Sequence, residues 1–394
     1  MQPRSTTNHS EITLGAFSSA TRQTRLDAFK NYIQPMRELD TRQDIVRGFS
    51  PAWFTASMGT GMACTLLYNF PYYWAPLQYI AWGIGVLNIL LFVTFLVLFI
   101  WRIVQYRDFY HILLHPQLSM PLGAIPMALV VIVVSLVTVG AQYETEWLPV
   151  LALVLWIIGV VFSLLSFLII PFLVTSHQRH ILTKVNATLL LPVVPTVVAA
   201  TGGAVVASVH SGSTAVAVVL ISYILWAMGV GVAMMLIVLY LVRLVLYKLP
   251  PKETIASAFI PLGPLGQSSY CIQLLGTQAQ RLFPQALPQI PQLGEVLNVL
   301  GFLLGLFIWA LAVWWITHGI YAVVYTRIQG PVPFNLGWWA LIFPTGTFAT
   351  SSYGLWLSTG YTFFRVLTAA VSVGIVLLWI VVIINTFRYA FSSP

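Results

Sequence analysis

Hydroxyl and amide side chains gather beside prolines and glycines at four places in the chain. Ser57, Gly59, Thr60 and Gly61 form the first group, and Thr196, Thr201 and Gly202 follow Pro195. Gly263, Gly266, Gln267, Ser268 and Ser269 surround Pro261 and Pro264, and Thr345 and Gly346 follow Pro344. Pro126, close to Gly123, marks a fifth place without the hydroxyls. Neutral donors of this kind bind a solute without transforming it. A proline that opens a helix frees N–H groups and presents the positive end of a half-helix, which attracts anions without Lys or Arg. Each hydroxyl taken alone has a simpler reading, a bond back to a carbonyl of its own helix.

Reaction chemistry has little to work with. The chain holds 10 Asp and Glu, half of them before residue 45, and no pair falls in an apolar run. No P-loop, dinucleotide fingerprint or HExxH motif appears, so neither catalysis nor a cofactor is expected. A membrane enzyme or receptor would also need a folded loop domain, and the loops are too short for one. Cys64 and Cys271 lie inside apolar runs, make no disulfide framework and read as buried and inert. His111 with His115, and His177 with His180, have helical spacing but no carboxylate or cysteine beside them, so no metal site is expected. His210 and His318 stand near the ends of apolar runs, where an imidazole reaches water; they are the candidates for proton coupling.

The elements that must position these residues are membrane spans. Of 394 residues, 59% are hydrophobic and only 7% charged, against about 25% charged in a soluble domain. Stretches long enough to cross a bilayer occur at 50–70, 78–101, 120–141, 148–175, 188–209, 213–247, 255–277, 295–325, 335–357 and 363–390. The sixth and eighth exceed what a bilayer requires and must tilt or project. Prolines and glycines concentrate in the odd-numbered stretches, which recur at a step of about 70 residues. The chain therefore reads as an all-α integral membrane protein of ten spans in five hairpins, each a broken helix followed by a plain one. Opened backbone at membrane depth is tolerated only against protein or a water-filled cavity, so the five broken helices belong at the centre. Gly301 and Gly305 in the eighth stretch have the spacing for close helix packing.

The formal net charge of +8 is a topology signal and not a nucleic-acid surface. Sixteen of the 18 Lys and Arg fall on one side of the membrane, and only Arg281 and Arg365 on the other. The positive-inside rule puts both termini in the cytosol. Residues 1–48 form a cytoplasmic segment in which Leu26, Phe29, Ile33 and Met36 outline an amphipathic helix, lying on the bilayer or packed on the protein's own loops. Residues 49–390 form the membrane domain and 391–394 a short tail.

Three segments, GFSPAWFTASMGTG (48–61), FIPLGPLGQSSY (259–270) and WWALIFPTGTF (338–348), resemble the tellurite-resistance/dicarboxylate transporter superfamily. Its members include tellurite-resistance proteins, plant slow anion channels, fungal malate transporters and fungal sulfite efflux pumps; the pattern is most similar to the last. The resemblance covers about 50–390. It implies a quasi-fivefold arrangement of hairpins around a central pore, a homotrimer, and a plasma-membrane exporter of sulfite or bisulfite in a fungal cell. The alternative is a C4-dicarboxylate or malate transporter, with or without proton coupling. A doubly charged dicarboxylate wants a fixed cation or two donor sets, and no Lys or Arg lies mid-span.

Phe343 precedes Pro344 near the middle of the ninth stretch. From the residues alone, its ring either packs against the seventh or tenth stretch or projects from the bend toward the axis, with Gly346 leaving it room to swing. The resemblance implies the second, a pore-blocking phenylalanine in the pattern W-W-x-x-x-F-P.

Overall fold

The computed structural model describes residues 46–143 and 145–391; the amphipathic pattern from Leu26 to Met36 and the terminal tail lie outside the described residues. Ten longer helices follow one another: α1 (Phe54–Tyr68), α2 (Ala75–Tyr106), α3 (Ala124–Gly140), α4 (Trp147–Ser176), α5 (Val194–Ser208), α6 (Gly212–Tyr247), α7 (Leu262–Ala286), α8 (Leu293–Gln329), α9 (Trp339–Thr359) and α10 (Thr362–Phe391). The described residues contain no strand. Among the described residues, six segments are long and apolar enough to cross a membrane, namely α2, α4, α6, α8, most of α10, and Met120–Tyr143 around α3.

Odd and even helices differ in length and burial. The even helices run from 30 to 37 residues and expose a wide apolar stripe. The odd ones are shorter, 15 residues in α1 and α5, and almost every side chain of α1 and α5 and most of those of α9 are buried. Each odd helix packs against the next odd one, α1 on α3, α3 on α5, α5 on α7 and α7 on α9, and α9 returns to α1. Each even helix packs along the odd helix before it and touches the one after it. The inner helices thus close a ring, with the outer helices around it.

Proline does a different job from the one its spacing predicts. Pro126, Pro195 and Pro264 occupy the first turns of α3, α5 and α7, and Pro261 is the N-cap of α7. The first four N–H groups of a helix have no partner within it, so a proline there costs no hydrogen bond. These prolines start helices and do not break them. A 3-10 segment precedes every odd helix: Pro51–Trp53, Met120–Gly123, Ala187–Leu190, Lys252–Phe259 and Leu336–Trp338. Only Pro344 among the predicted breaks lies inside its helix, in the second turn of α9.

A repeated tie joins outer to inner helices. The indole Nε1 of Trp156 on α4 donates to Ala199 O on α5 at 2.8 Å, and Trp226 on α6 to Ser268 O on α7 at 3.0 Å. Trp309 on α8 donates to Ser352 Oγ on α9 at 2.8 Å, and Trp379 on α10 to Thr60 Oγ1 on α1 at 3.2 Å. Every one of these bonds reaches the next inner helix around the ring. In α2 the corresponding residue after Leu87 is Asn88, which instead accepts from Ser57 Oγ of its own hairpin at 2.7 Å. A cavity of about 490 Å³ lies beside Asn88, between α2 and the α3–α4 hairpin.

The linkers at the end where the inner helices begin are also fastened. Buried Arg102 pairs with Asp108 at 2.7 Å and donates to Phe49 O. Gln178 Nε2 donates to Ser119 Oγ at 3.0 Å and Leu113 O at 3.3 Å, joining the linker before α5 to the one before α3. His115 Nδ1 accepts from the backbone N–H groups of Gln117 and Leu118 at 3.2 and 3.3 Å. Burial, and then the charge of His111, push the His115 imidazole below its ordinary 6.5. The unfolded chain therefore takes up the proton first, and stability is lost as pH falls below about 6.5. The melting temperature of the purified protein should drop between about pH 7.5 and about pH 5, and His115→Asn, which keeps an acceptor and cannot titrate, should flatten that drop.

Candidate functional site

The inner helices start around a common point. Thr55 and Met58 of α1, Met127 of α3, Val194 of α5, Gly263 and Pro264 of α7, and Ala340, Phe343 and Pro344 of α9 line one small cavity. All lie in the first two turns of their helices. Its volume of about 20 Å³ holds about a single water. No charged side chain lines it. Helix N-termini carry partial positive charge, and five of them surround this point. A site with apolar walls, a positive field and no fixed charge can admit an anion without trapping it.

Phe343 is buried, at 3% exposure, and its neighbours in the cavity come from all the other inner helices, with no residue of α10 among them. Pro344 has no N–H to give Ala340 O, its partner one turn back, so α9 is locally opened beside the ring. The expected space at Gly346 is absent. A Cβ there would collide with Met62 of α1, so Gly346 serves the contact between α9 and α1.

The other predicted residues divide between packing and back-bonding. A Cβ on Gly266 would lie 2.6 Å from Thr347 C and 2.7 Å from Phe348 N, backbone atoms of α9. Gly61 faces Val131 and Asn88, Gly202 faces Val130 and Trp156, and Gly59 meets Ile342 and Trp339. Only Gly263 of these glycines reaches the cavity; the rest let helices approach closely. Thr60 donates to Ala56 O, Thr196 to Val193 O, Thr201 to Val197 O and Thr345 to Leu341 O. Ser269 donates to Gly305 O at 2.6 Å and accepts from Ser351 and Gln273. Gln267 and Ser268 are buried, and Ser268 Oγ has no partner among the described residues. Gly301 and Gly305 of α8 do face α7, against Ile272 O and the Gln273 side chain.

Neither candidate for proton coupling lies at the cavity. His210 follows α5 at the opposite end of the ring, its Nδ1 2.8 Å from Val206 O. His318 is on outer helix α8, stacked on Trp314 with ring centroids 5.3 Å apart. The two cations assigned to the far side share that opposite end. Arg281 donates to Ala207 O at 2.6 Å, and Arg365 donates to Pro71 O at 3.2 Å and lies 4.3 Å from the centre of the Tyr72 ring. Arg281 therefore offsets the partial negative charge where α5 ends, while Arg365 holds the chain three residues beyond the end of α1. The tryptophan ties were not anticipated from the sequence. Their signal is an apolar residue followed by Trp at 156, 226, 309 and 379, mostly at the repeat step of about 70 residues.

A closed ring of inner helices whose first turns share one small uncharged cavity, wrapped by apolar outer helices, defines a multi-pass membrane protein of the transport class. The chain belongs to the voltage-dependent anion channel family (SLAC1), whose model matches residues 48–387. It is 34% identical over 339 residues to the sulfite efflux pump SSU1 of Arthroderma benhamiae, covering 86% of this chain and 89% of that one. It is 33% identical over 358 residues to the sulfite efflux pump SSU1 of Arthroderma otae, covering 90% and 94%. The malic acid transport protein of Schizosaccharomyces pombe is 21% identical over 303 residues, covering 76% and 68%.

Gly266 separates a packing role from a lining role. Gly266→Ala places a methyl against backbone that cannot move cheaply and should destabilise the protein by about 1–3 kcal/mol. The check is a lower melting temperature in detergent; a substitution that merely narrowed a pore would lower flux and leave melting unchanged.

Proposed function

We propose that this protein is a plasma-membrane exporter of sulfite or bisulfite, with ten membrane spans in quasi-fivefold array around a central pore and Phe343 as its gate. The observation that carries the reading is the small cavity itself: uncharged, shared by the first turns of all five inner helices, and lined by Phe343. The four short odd helices outside the six apolar spans are read as crossing within the ring, extended by their 3-10 segments. The sulfite-pump relatives supply the ion. The placement of Lys and Arg supports cytoplasmic termini, and the family resemblance supports a homotrimer.

An inside-negative membrane drives a monovalent anion outward by about 2.3 kcal/mol per 100 mV, so export needs no second ion. Channel-like conduction is the simpler mechanism, and the absence of both candidate histidines from the cavity lining favours it. The second reading, malate or another dicarboxylate, draws on the malic acid transport relative; the lack of a fixed cation in the cavity lining counts against it.

A ring that fills a narrow apolar passage excludes water and ions together. Phe343→Ala should raise anion flux in proteoliposomes on the order of tenfold, with assembly and yield unchanged. Reduced or unchanged flux in well-assembled protein would remove Phe343 from the gate. Expression in a sulfite-sensitive yeast separates the substrates: sulfite tolerance without malate uptake is expected, and the reverse would favour the dicarboxylate. Strict dependence of flux on a pH gradient would end the channel mechanism.

A further inference from the structure

A larger opening lies on the outside of the ring, at the same end as the small cavity. A groove of about 1020 Å³ runs between the last turns of α6 and α8. Leu241, Leu244 and Val245 form one wall, and Trp314 and Ala322 belong to the other. Lys248 and Lys252 stand among its lining residues, both exposed, and no acidic residue joins them. We propose that this groove binds one anionic phospholipid, its acyl chains along the apolar walls and its phosphate against Lys248 and Lys252.

Four features point to that occupant. The groove lies between two outer helices that expose many large apolar side chains along their length, so hydrocarbon is what reaches its walls. Tyr321 and Tyr325 line it and are 69% and 58% exposed, and rings of this kind mark the level of the headgroups. His318 lines it as well, with its buried Nε2 lacking a partner among the described residues; a lipid ester or phosphate oxygen would supply one. Finally, Lys248 ends α6 at a φ of 64°, a conformation that side-chain-bearing residues seldom adopt. Buried Arg243 holds it there, donating to Lys248 O at 2.6 Å. A glycine would meet the backbone requirement with less strain, and the lysine adds an exposed cation, its Nζ donating to Val245 O at 3.4 Å, beside an apolar groove. Basic residues beside the headgroups attract anionic lipid. The proposal concerns the outer surface and stands whatever anion the centre carries.

The test uses the full-length protein in a neutral detergent, followed by native mass spectrometry. Phosphatidylserine, phosphatidylcholine and inorganic phosphate are titrated separately. One phosphatidylserine should be retained in preference to phosphatidylcholine, and millimolar phosphate should not displace it. K248Q/K252Q should weaken phosphatidylserine binding about 20-fold and leave the weak phosphatidylcholine binding as it was. K184Q, which removes another exposed cation outside the groove, should behave as wild type. On the unmodified protein, a photoreactive phosphatidylserine should label the segment 314–329. Equal retention of the two lipids, unchanged affinity in K248Q/K252Q, labelling only elsewhere, or displacement by phosphate alone would each overturn the proposal. So would burial of the groove between two copies of the chain.

Discussion

Every helix begins with four N–H groups that have no partner within it, and in this protein five helices begin around one point. That constraint shapes what surrounds them. Proline in the first turn removes a donor that would otherwise stay unmet, and a 3-10 segment before each inner helix uses others. What remains is a cluster of weakly positive helix ends with apolar side chains between them. Such a place favours an anion over a cation, and the lack of a fixed cation keeps the attraction shallow.

The far ends of the same helices present the opposite problem. A helix that offers positive charge at its start ends in carbonyls that repel an anion. Arg281 meets the last carbonyls of α5, and Arg365 meets the chain just beyond α1. These are the two cations that the charge count placed alone on that side. Their position gives a physical reason for exceptions that the topology rule by itself leaves unexplained.

The alternation of proline-rich and plain segments was legible in the chain, and it corresponds to the alternation of buried and surface helices. The pairing of Phe343 with Pro344 was visible in one stretch of sequence, while the direction of the ring was left open by the residues and came only from the family resemblance. The work of each proline was not legible. Pro195 and Pro264 look like breaks until the helix start is located, and that start is set by the 3-10 segment before it. The glycines misled for a related reason. Gly266 and Gly346 face α9 and α1 respectively, contacts between neighbouring inner helices made by residues far apart in the chain. Spacing shows that a glycine is needed and does not show what approaches it.

One departure from the repeat bears on how the ring can deform. Four of the five outer helices pin the next inner helix through an indole hydrogen bond, and α2, with Asn88 in that place, does not. Where the fifth pin would be, the protein has an open pocket of about 490 Å³. Five equal joints would widen together, as an iris does. Four junctions carry an indole hydrogen bond and one does not, so only at the junction of α2 with α3 would a widening of the centre break no such bond. Mechanically the ring has a seam.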